Sequence, residues 1–355
     1  MNSDFRTDQP VTVSVILPCR NENRQIETSL GHILNQETVP GGFEVIVADG
    51  MSDDGTRAKL EALSRGDSRI RVLDNPGRIV STGLNAAIRH ARGRIIVRMD
   101  AHTDYDKDYI RRCVEQLEES GADCVGGPWL ANGRGFVSRA IATAFSCPWV
   151  VGGARSHDSR YEGQVDTVYL GCWRREAFEK FGFFDEELVR NQDDELSLRI
   201  CRGGGRIWQS PRIRSVYHPR NTLQSLFRQY MQYGYWKVRV IQKHRLPASW
   251  RHLIPGVFLL SILGLGCLGF FTKLAFWGWA TAVGAYAVLN LTASLCSARG
   301  GKWSLLPVLP AVVGCFHFGY GYGFLRGLFD FVVRRKSASS TFTSLTRSSS
   351  DGVNA

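Results

Sequence analysis

The sequence predicts an α/β protein, a mostly parallel sheet flanked by helices, followed by apolar helices of membrane-spanning length. Three observations predict it. Four short β-branched apolar runs alternate with helical patterns in the first hundred residues. From Leu253 to Cys296 there is one charge, Lys273. The stretch Arg228 to Arg251, directly before that apolar block, is basic and contains no acid, which is the arrangement expected at a cytoplasmic membrane surface.

The elements follow in order. Val11 to Leu17 is a buried strand ending at Pro18. Glu22 to Asn35 places Ile26, Leu30 and Ile33 on one helical face. Phe43 to Ala48 is a second strand, closed by Asp49-Gly50, and Ser52 to Thr56 is a turn and helix-cap cluster. A helix over Arg57 to Ser64, a strand over Ile70 to Leu73, a helix over Val80 to His90 and a strand over Ile95 to Met99 complete a β-α-β-α-β-α-β order. Such an order gives a doubly wound sheet, whose ligands bind at the carboxyl ends of the strands. Glu22, Asp49 and Asp100 lie at such ends. Further on, Cys124 to Trp129, Thr167 to Cys172 and Arg212 to His218 read as strands, and Arg175 to Phe181 and Asp193 to Arg202 as helices. Thr222 to Lys243 is amphipathic, and fits both an interfacial helix and one packed on the domain.

Leu253 to Thr272 and Leu274 to Cys296 are each long enough to span a bilayer. Leu305 to Val333 is apolar but carries His317, Arg326 and Asp330 and is broken by Pro307 and Pro310. Two spans put Arg251, Arg299, Lys302 and Arg334-Arg335-Lys336 on one side, so the third segment is expected to be interfacial or re-entrant. The expected division is a tail over 1–10, a catalytic domain over 11–245, a membrane-associated region over 246–336 and a disordered Ser/Thr-rich tail over 337–355.

Composition narrows the classes. The chain has 355 residues, with 44 Lys+Arg against 33 Asp+Glu and 44% apolar residues, which excludes a disordered, collagenous or small disulfide-rich protein. A net charge of +11 suits nucleic acid, an anionic membrane or an anionic substrate. The placement of the basic residues beside the apolar block favours the membrane, so no nucleic-acid partner is expected. Nine cysteines without a C-x-x-C pair read as reduced packing residues. The N-terminal residues lack the apolar core of a signal peptide.

Three acidic sites carry the chemistry. Asp49, at a strand end before a turn, suits hydrogen bonds from a nucleobase or ribose, and equally suits capping the next helix. No G-x-G-x-x-G or G-x-x-x-x-G-K-[ST] is present, so neither a dinucleotide fold nor a P-loop has support. Asp100-Ala101-His102 places a carboxylate and an imidazole within reach of one divalent ion, Mn²⁺ or Mg²⁺; a surface turn gives the same pattern. Asp193-Asp194-Glu195 opens a helix, where acids are stabilised by the helix dipole or serve as a base for an attacking hydroxyl.

In their order, Val15-Ile16-Leu17-Pro18-Cys19-Arg20-Asn21-Glu22, Glu44 to Thr56, Asn85 before Ala91-Arg92-Gly93, Asp100-Ala101-His102 and Gln192 to Arg199 resemble the motifs of family 2 glycosyltransferases. The likeness covers about residues 11 to 245 and is nearest to the bacterial succinoglycan-type exopolysaccharide enzymes. It implies a GT-A fold, a Rossmann-like mixed sheet, with a nucleotide-sugar donor and inversion at the anomeric carbon. It implies that Pro18, Arg20, Asn21, Glu22, Asp49, Arg78, Asn85 and Asp100 bind the donor. Asp100, His102 and His218 are the implied metal ligands, and Asp193 the catalytic base. Asp194 and Trp236 are expected on the acceptor side, although Trp236 equally suits a membrane-interface anchor. The chain departs from the family in Gly50-Met51 after Asp49, in Gln192 before the base, and in Tyr235 where processive synthases carry Arg.

The resulting expectation is transfer from a UDP-sugar to a hydroxyl of a polyprenyl-linked saccharide, at the inner membrane with the catalytic domain cytoplasmic. A polyprenyl-phosphate glycosyltransferase and a non-catalytic membrane scaffold are the alternatives.

Overall fold

The computed structural model describes residues 11–337. The tail expected over 1–10, and all but the first residue of the tail expected over 337–355, lie outside the described residues. The strands are β1 (Val13–Cys19), β2 (Phe43–Asp49), β3 (Ile70–Asp74), β4 (Ile95–Arg98), β5 (Thr103–Tyr105), β6 (Cys124–Gly127), β7 (Leu130–Ala131), β8 (Gly163–Gln164), β9 (Tyr169–Arg174), β10 (Ile207–Gln209) and β11 (Ser215–Tyr217). The helices are α1 (Ile26–Leu34), α2 (Thr56–Gly66), α3 (Val80–His90), α4 (Tyr109–Ser120), α5 (Phe136–Phe145), α6 (Pro148–Val151), α7 (Arg175–Phe181), α8 (Gln192–Arg202), α9 (Leu223–His244), α10 (Ile254–Gly269), α11 (Lys273–Ala298) and α12 (Leu309–Gly327). They fall into two units, and α8 crosses from one to the other after Glu195.

The first unit comprises the described residues up to Trp129, with Ser159–Glu186 and Leu196–Val216. Its eight-stranded sheet has the order β3-β2-β1-β4-β9-β6-β10-β8. β1 pairs β2 and β4 in parallel, β2 pairs β3 in parallel, and β9 joins β4 and β6 antiparallel. The sheet is therefore mixed. The alternation of β1 explains its two cores. Val13, Val15 and Leu17 pack with Leu30, Ile33, Leu60 and Tyr109 on one face. Ile16 joins Ile46, Leu84, Ile88 and Phe178 on the other. β2 is buried at every position, as a central strand covered on both faces must be.

β1 runs through Pro18, beyond its expected end. The Ile16 carbonyl accepts from Met99, so the even-numbered residues of β1 face β4. β4 pairs β1 only as far as Ile16 opposite Arg98, and the missing N–H of Pro18 falls beyond that ladder. α4 and α5 were not expected from the sequence; their apolar spacing lies between irregular segments.

The second unit comprises Leu130–Asp158, Glu187–Glu195 and the described residues from Tyr217. α9 is a packed helix. Its partner is α12, and glycine makes the approach possible. Cβ atoms at Gly319 and Gly327 would stand 3.0 Å from the Phe227 carbonyl oxygen and 2.7 Å from that of Tyr235, and one at Gly323 would overlap the Met231 carbonyl. The contacts advance by one turn on both helices, as small residues at i, i+4 and i+8 allow. Leu305 to Val333 is thus mainly one helix on α9, and its last turns, Leu328–Val333, are π-helical. Asp330, fully buried there, pairs with Arg326 at 3.2 Å and Lys336 at 3.3 Å.

α10 and α11 form an antiparallel hairpin around Phe270–Thr272, with Gly266 against Trp279 and Gly269 against Phe276. Trp250–Gly269 and Lys273–Ala298 are long and apolar enough to cross a membrane, and 6% of each apolar window is buried. Phe270 is 89% exposed and Leu274 86%. Apolar side chains exposed in this way suit a membrane or another apolar partner. All nine cysteines are free, as expected of packing residues.

Candidate functional site

In the first unit, the parallel register sets Cys19 opposite Asp49 and Asp49 opposite Asp74, so the loops after β1, β2 and β3 leave one edge of the sheet. The loop after β1 is stitched to the loop after β2. Asn21 N donates to Ser52 Oγ at 2.9 Å, and the Asn21 amide exchanges two hydrogen bonds with Asp53, at 2.9 and 3.1 Å. Glu22 N donates to Thr56 Oγ1 at 2.8 Å, and Asn23 N to Asp54 Oδ2 at 3.1 Å. The Glu22 carbonyl accepts from Ile26 N at 2.9 Å, so the turn into α1 begins directly after these bonds. Asn21 adopts φ 56°, a conformation Asn tolerates better than most residues.

Asp49 is 1% exposed. Ser52 Oγ donates to its Oδ1 at 2.5 Å, and Arg57 Nη1 lies 3.6 Å from Oδ2. Asp49 thus closes the turn at Ser52 and does not cap α2, whose Thr56 N donates instead to Asp54 Oδ1 at 3.0 Å. Gly50 makes room for the Arg20 side chain, since a Cβ there would meet Arg20 Cβ and Cδ at 3.1 Å. Arg20 Nη1 donates to the Arg78 carbonyl at 3.4 Å, which places two guanidinium-bearing residues together after β1 and β3.

Asn85, expected among the donor contacts, is 1% exposed and committed elsewhere. Its Nδ2 donates to the Phe184 carbonyl and to Glu186 Oε1, each at 2.8 Å, and its Oδ1 accepts from Phe184 N at 3.0 Å. It ties α3 to the segment after α7.

At the end of β4, Arg98 grips Asp100 through Nε and Nη2, each at 3.0 Å. His102 Nε2 lies 2.6 Å from Glu22 Oε1, and Nδ1 lies 2.9 Å from Gln25 Oε1. In the second unit, His218 Nδ1 lies 3.1 Å from the Asn132 carbonyl. Among the described residues no group of three or more His, Cys, Asp or Glu could hold a metal ion. Asp100 and His102 are each held by a protein partner in the first unit, and His218 belongs to the second. The donor chemistry of Asp100 and His102, a carboxylate oxygen and an imidazole nitrogen, nevertheless fits Mn²⁺ or Mg²⁺.

The acid motif belongs to the second unit as far as Glu195. Asp193, Asp194 and Glu195 occupy the first turn of α8, where the helix dipole favours negative charge. The segment before and through them is bonded along α9. Arg239 and Lys243 reach Glu187 at 3.1 and 3.0 Å, Arg190 Nε donates to Gln232 at 3.1 Å, and Asn191 Nδ2 donates to the Tyr233 carbonyl at 2.9 Å. Lys237 meets Asp194 at 2.7 Å, and His244 meets Glu195 at 2.8 Å. Burial works against ionisation of Asp194, but Lys237 outweighs it and holds the carboxyl below the usual range. The polar side chains of α9 form a cradle for the acid motif.

Trp236, expected to face an acceptor or the membrane interface, does neither. It is 0% exposed and packs against Tyr235 and Phe331, at ring separations of 5.6 and 6.0 Å. Sequence reasoning missed two groups of residues: Ser52, Asp53, Asp54 and Thr56 as the clamp on the Asn21 loop, and Glu187, Arg190 and Lys237 as ties of the acid motif. The Ser-Asp-Asp-Gly-Thr run signalled the first only as a cap; nothing in local spacing signals the second.

A mixed α/β sheet with carboxylates at its strand ends, followed by an acid-rich helix start, is the framework of a GT-A glycosyltransferase. A family profile described as "Glycosyl transferase family 2" matches residues 14–182. The chain is 32% identical over 342 residues to the succinoglycan biosynthesis protein ExoA of Rhizobium meliloti, covering 95% of this chain and 100% of that protein. The chain belongs to glycosyl transferase family 2, and it is a glycosyltransferase. It is also 24% identical over 324 residues to a Methanococcus voltae enzyme, covering 89% of this chain and 97% of the relative. That enzyme is named as a dolichyl N-acetyl-α-D-glucosaminyl phosphate 3-β-D-2,3-diacetamido-2,3-dideoxy-β-D-glucuronosyltransferase. Among solved structures, the mannosyltransferase PcManGT of Pyrobaculum calidifontis, in complex with GDP-Man and Mn²⁺, aligns with a TM-score of 0.58 at 21% identity, over 90% of this chain and 87% of that one. That likeness is one of fold.

Proposed function

We propose that the protein transfers a sugar, with inversion, from a UDP-sugar to a hydroxyl of a polyprenyl-linked saccharide at the inner membrane, in exopolysaccharide or cell-surface glycan synthesis. The observation that carries this reading is the membership of Asp193 in the second unit. The turn that carries Asp193 is bonded along α9 through Asp194 and Glu195, and belongs to the unit that bears the two exposed apolar helices. An acceptor anchored in a bilayer meets its base there. Two relatives support the acceptor class: one is named for succinoglycan biosynthesis, the other for a dolichyl-phosphate-linked acceptor. A catalytic domain on the cytoplasmic side accords with the basic residues Arg251, Arg299 and Lys302 at one end of the hairpin.

In this reading Asp193 accepts the proton of the acceptor hydroxyl. The hydroxyl oxygen attacks C1 of the donor sugar from the face opposite the diphosphate. The C1–O bond breaks, and the nucleoside diphosphate leaves with the bonding pair. Arg20 and Arg78 offset its charge. The Pro18–Glu22 loop, held by Ser52, Asp53 and Thr56, lines the nucleotide site with Asp49. A divalent cation, Mn²⁺ or Mg²⁺, would be held by Asp100 and His102 and would supply positive charge beside the diphosphate. Asp193 is the nearer test of the base, because a polyprenyl-phosphate acceptor needs no strong base.

The experiment is turnover by the full chain in membranes, with UDP- and GDP-sugars, Mn²⁺ or Mg²⁺, and a lipid extract. Metal-dependent transfer of one sugar to lipid, lost in Asp193→Asn, is expected. Transfer only to a water-soluble acceptor would remove the lipid-linked acceptor from the reading. Full transfer by Asp193→Asn would favour a phosphate acceptor.

A further inference from the structure

Asp194 sits in a cluster that the transfer step does not use. Lys237 Nζ stands 2.7 Å from its Oδ2, and Lys237 is buried. One turn earlier on α9, a Cβ at Gly234 would overlap the Tyr320 carbonyl, and the next residue of α12, Gly321, faces the Pro255 carbonyl at the start of α10. Tyr320 therefore stands where α9, α12 and the entry to α10 meet. That entry is the 3-10 turn Trp250–His252. The Arg251 stem passes 3.5 Å from a Cβ position on Gly152. Burial and the Arg251 charge hold His157 down to about 4. After burial and Lys237, His252 and Arg251 also act on the Asp194 carboxyl and lower it further. Lys237 is paired with the carboxylate, and the turn that carries Arg251 and His252 lies near enough to act on it electrostatically.

Two buried atoms in this group, His252 Nδ1 and the Tyr320 hydroxyl, have no hydrogen-bond partner. Orphaned buried polar groups are costly and call for an explanation. The cluster also has a defined height. Trp250, 76% exposed, precedes it, and the exposed apolar helix α10 follows at Ile254. Aromatic residues at the end of a span mark the headgroup level.

We propose that Lys237, Arg251, His252 and Tyr320 seat the phosphate of the lipid-linked acceptor, next to the residue that activates its hydroxyl. The inference rests on the acceptor reading above and names the groups that recognise it. A phosphate offers acceptor oxygens in several directions, and each of these four side chains can donate to one. The lipid tail would lie along the exposed face of α10. Asp194 is the counter-ion of Lys237 before the phosphate arrives.

The test uses the full chain in phosphatidylcholine nanodiscs with radiolabelled undecaprenyl phosphate as the probe. Wild type is expected to retain it. Arg251→Gln, at a half-buried position, is expected to weaken retention about tenfold or more, with partial rescue by Arg251→Lys. Lys237→Met is expected to act in the same direction. Asp194→Asn, which removes the competing negative charge, is expected to strengthen retention. Wild-type affinity in folded Arg251→Gln and Lys237→Met would overturn the proposal. So would equal displacement of the probe by phosphatidylglycerol, which would reduce the cluster to a general attraction for anionic lipid. Sugar transfer by wild type to lipid-linked against soluble acceptors, in the same nanodiscs, tests the acceptor reading separately.

Discussion

Gly323 lies against the backbone of Met231, so close that a Cβ at Gly323 would overlap the Met231 carbonyl oxygen. The same helix pair is close at Gly319 and Phe227 and at Gly327 and Tyr235. α9 is thereby held on one side by α12, while its other side binds the acid motif. Gly323→Ala forces the helices apart, and overpacking of this kind costs roughly 1–3 kcal/mol. Gly264, in α10, has nothing within 4 Å of its Cβ position. Gly264→Ala is expected to be neutral or to stabilise by up to about 1 kcal/mol. Thermal unfolding of the two variants in one detergent checks the contrast; equal midpoints would refute the close approach.

Asp193→Asn keeps the shape of α8 and removes the base. Transfer is expected to fall by about 10²–10⁴-fold, with donor binding retained. Donor binding by calorimetry and transfer by product assay separate the two effects.

The clamp between the loops after β1 and β2 predicts a graded effect on the donor. Asn21→Ala removes the two bonds with Asp53 and puts a Cβ-bearing residue without a compensating polar group at φ 56°. Asn21→Gly removes the same bonds and accepts the backbone angle. Both are expected to raise the donor KM, Asn21→Ala more so, by a few-fold to about tenfold for bonds of this kind. An unchanged KM in both would detach the clamp from donor binding.

Trp236→Ala is expected to destabilise the chain by roughly 3–5 kcal/mol, as loss of a fully buried aromatic does. Trp236→Phe, which keeps most of the packing, is expected to leave the acceptor KM unchanged. A large rise in that KM would restore Trp236 to the acceptor site.

Glu44 gives the fold an acid limit. Burial opposes its ionisation, but Ser14 Oγ at 2.7 Å and Arg92 N at 2.7 Å outweigh it and hold the carboxyl below the usual range. Its folded pKa lies below the unfolded one. Its contribution is therefore present above the unfolded value, about 4.3, and is lost as pH falls through the depressed folded value. Glu44→Gln is expected to flatten the decline of stability below about pH 4.3. Denaturant melts at several pH values measure that slope.

The sheet was legible because its strands are short apolar runs and its helices carry one apolar face; these patterns are local. The positions of Asp49, Asp100 and the Pro18–Glu22 loop at or just beyond strand ends were legible for the same reason. Asn85 and Trp236 were misread because an Asn or a Trp has the same letters whether it binds a substrate or fills a core. Burial and partners decide, and both come from residues far along the chain: Phe184 and Glu186 for Asn85, Phe331 for Trp236.

The sequence by itself determined the α/β class, the acidic strand ends and the two apolar helices, because composition and periodicity act over a few residues, and its motifs in their order carried the family resemblance. Only the tertiary structure decided that α9 packs against α12, that its charges bind the acid motif, and that Asp100 and His102 are held by Arg98 and Glu22. All but the Arg98–Asp100 pair, which is local to the end of β4, depend on glycine contacts and ion pairs between distant segments, and such contacts leave no period in the chain.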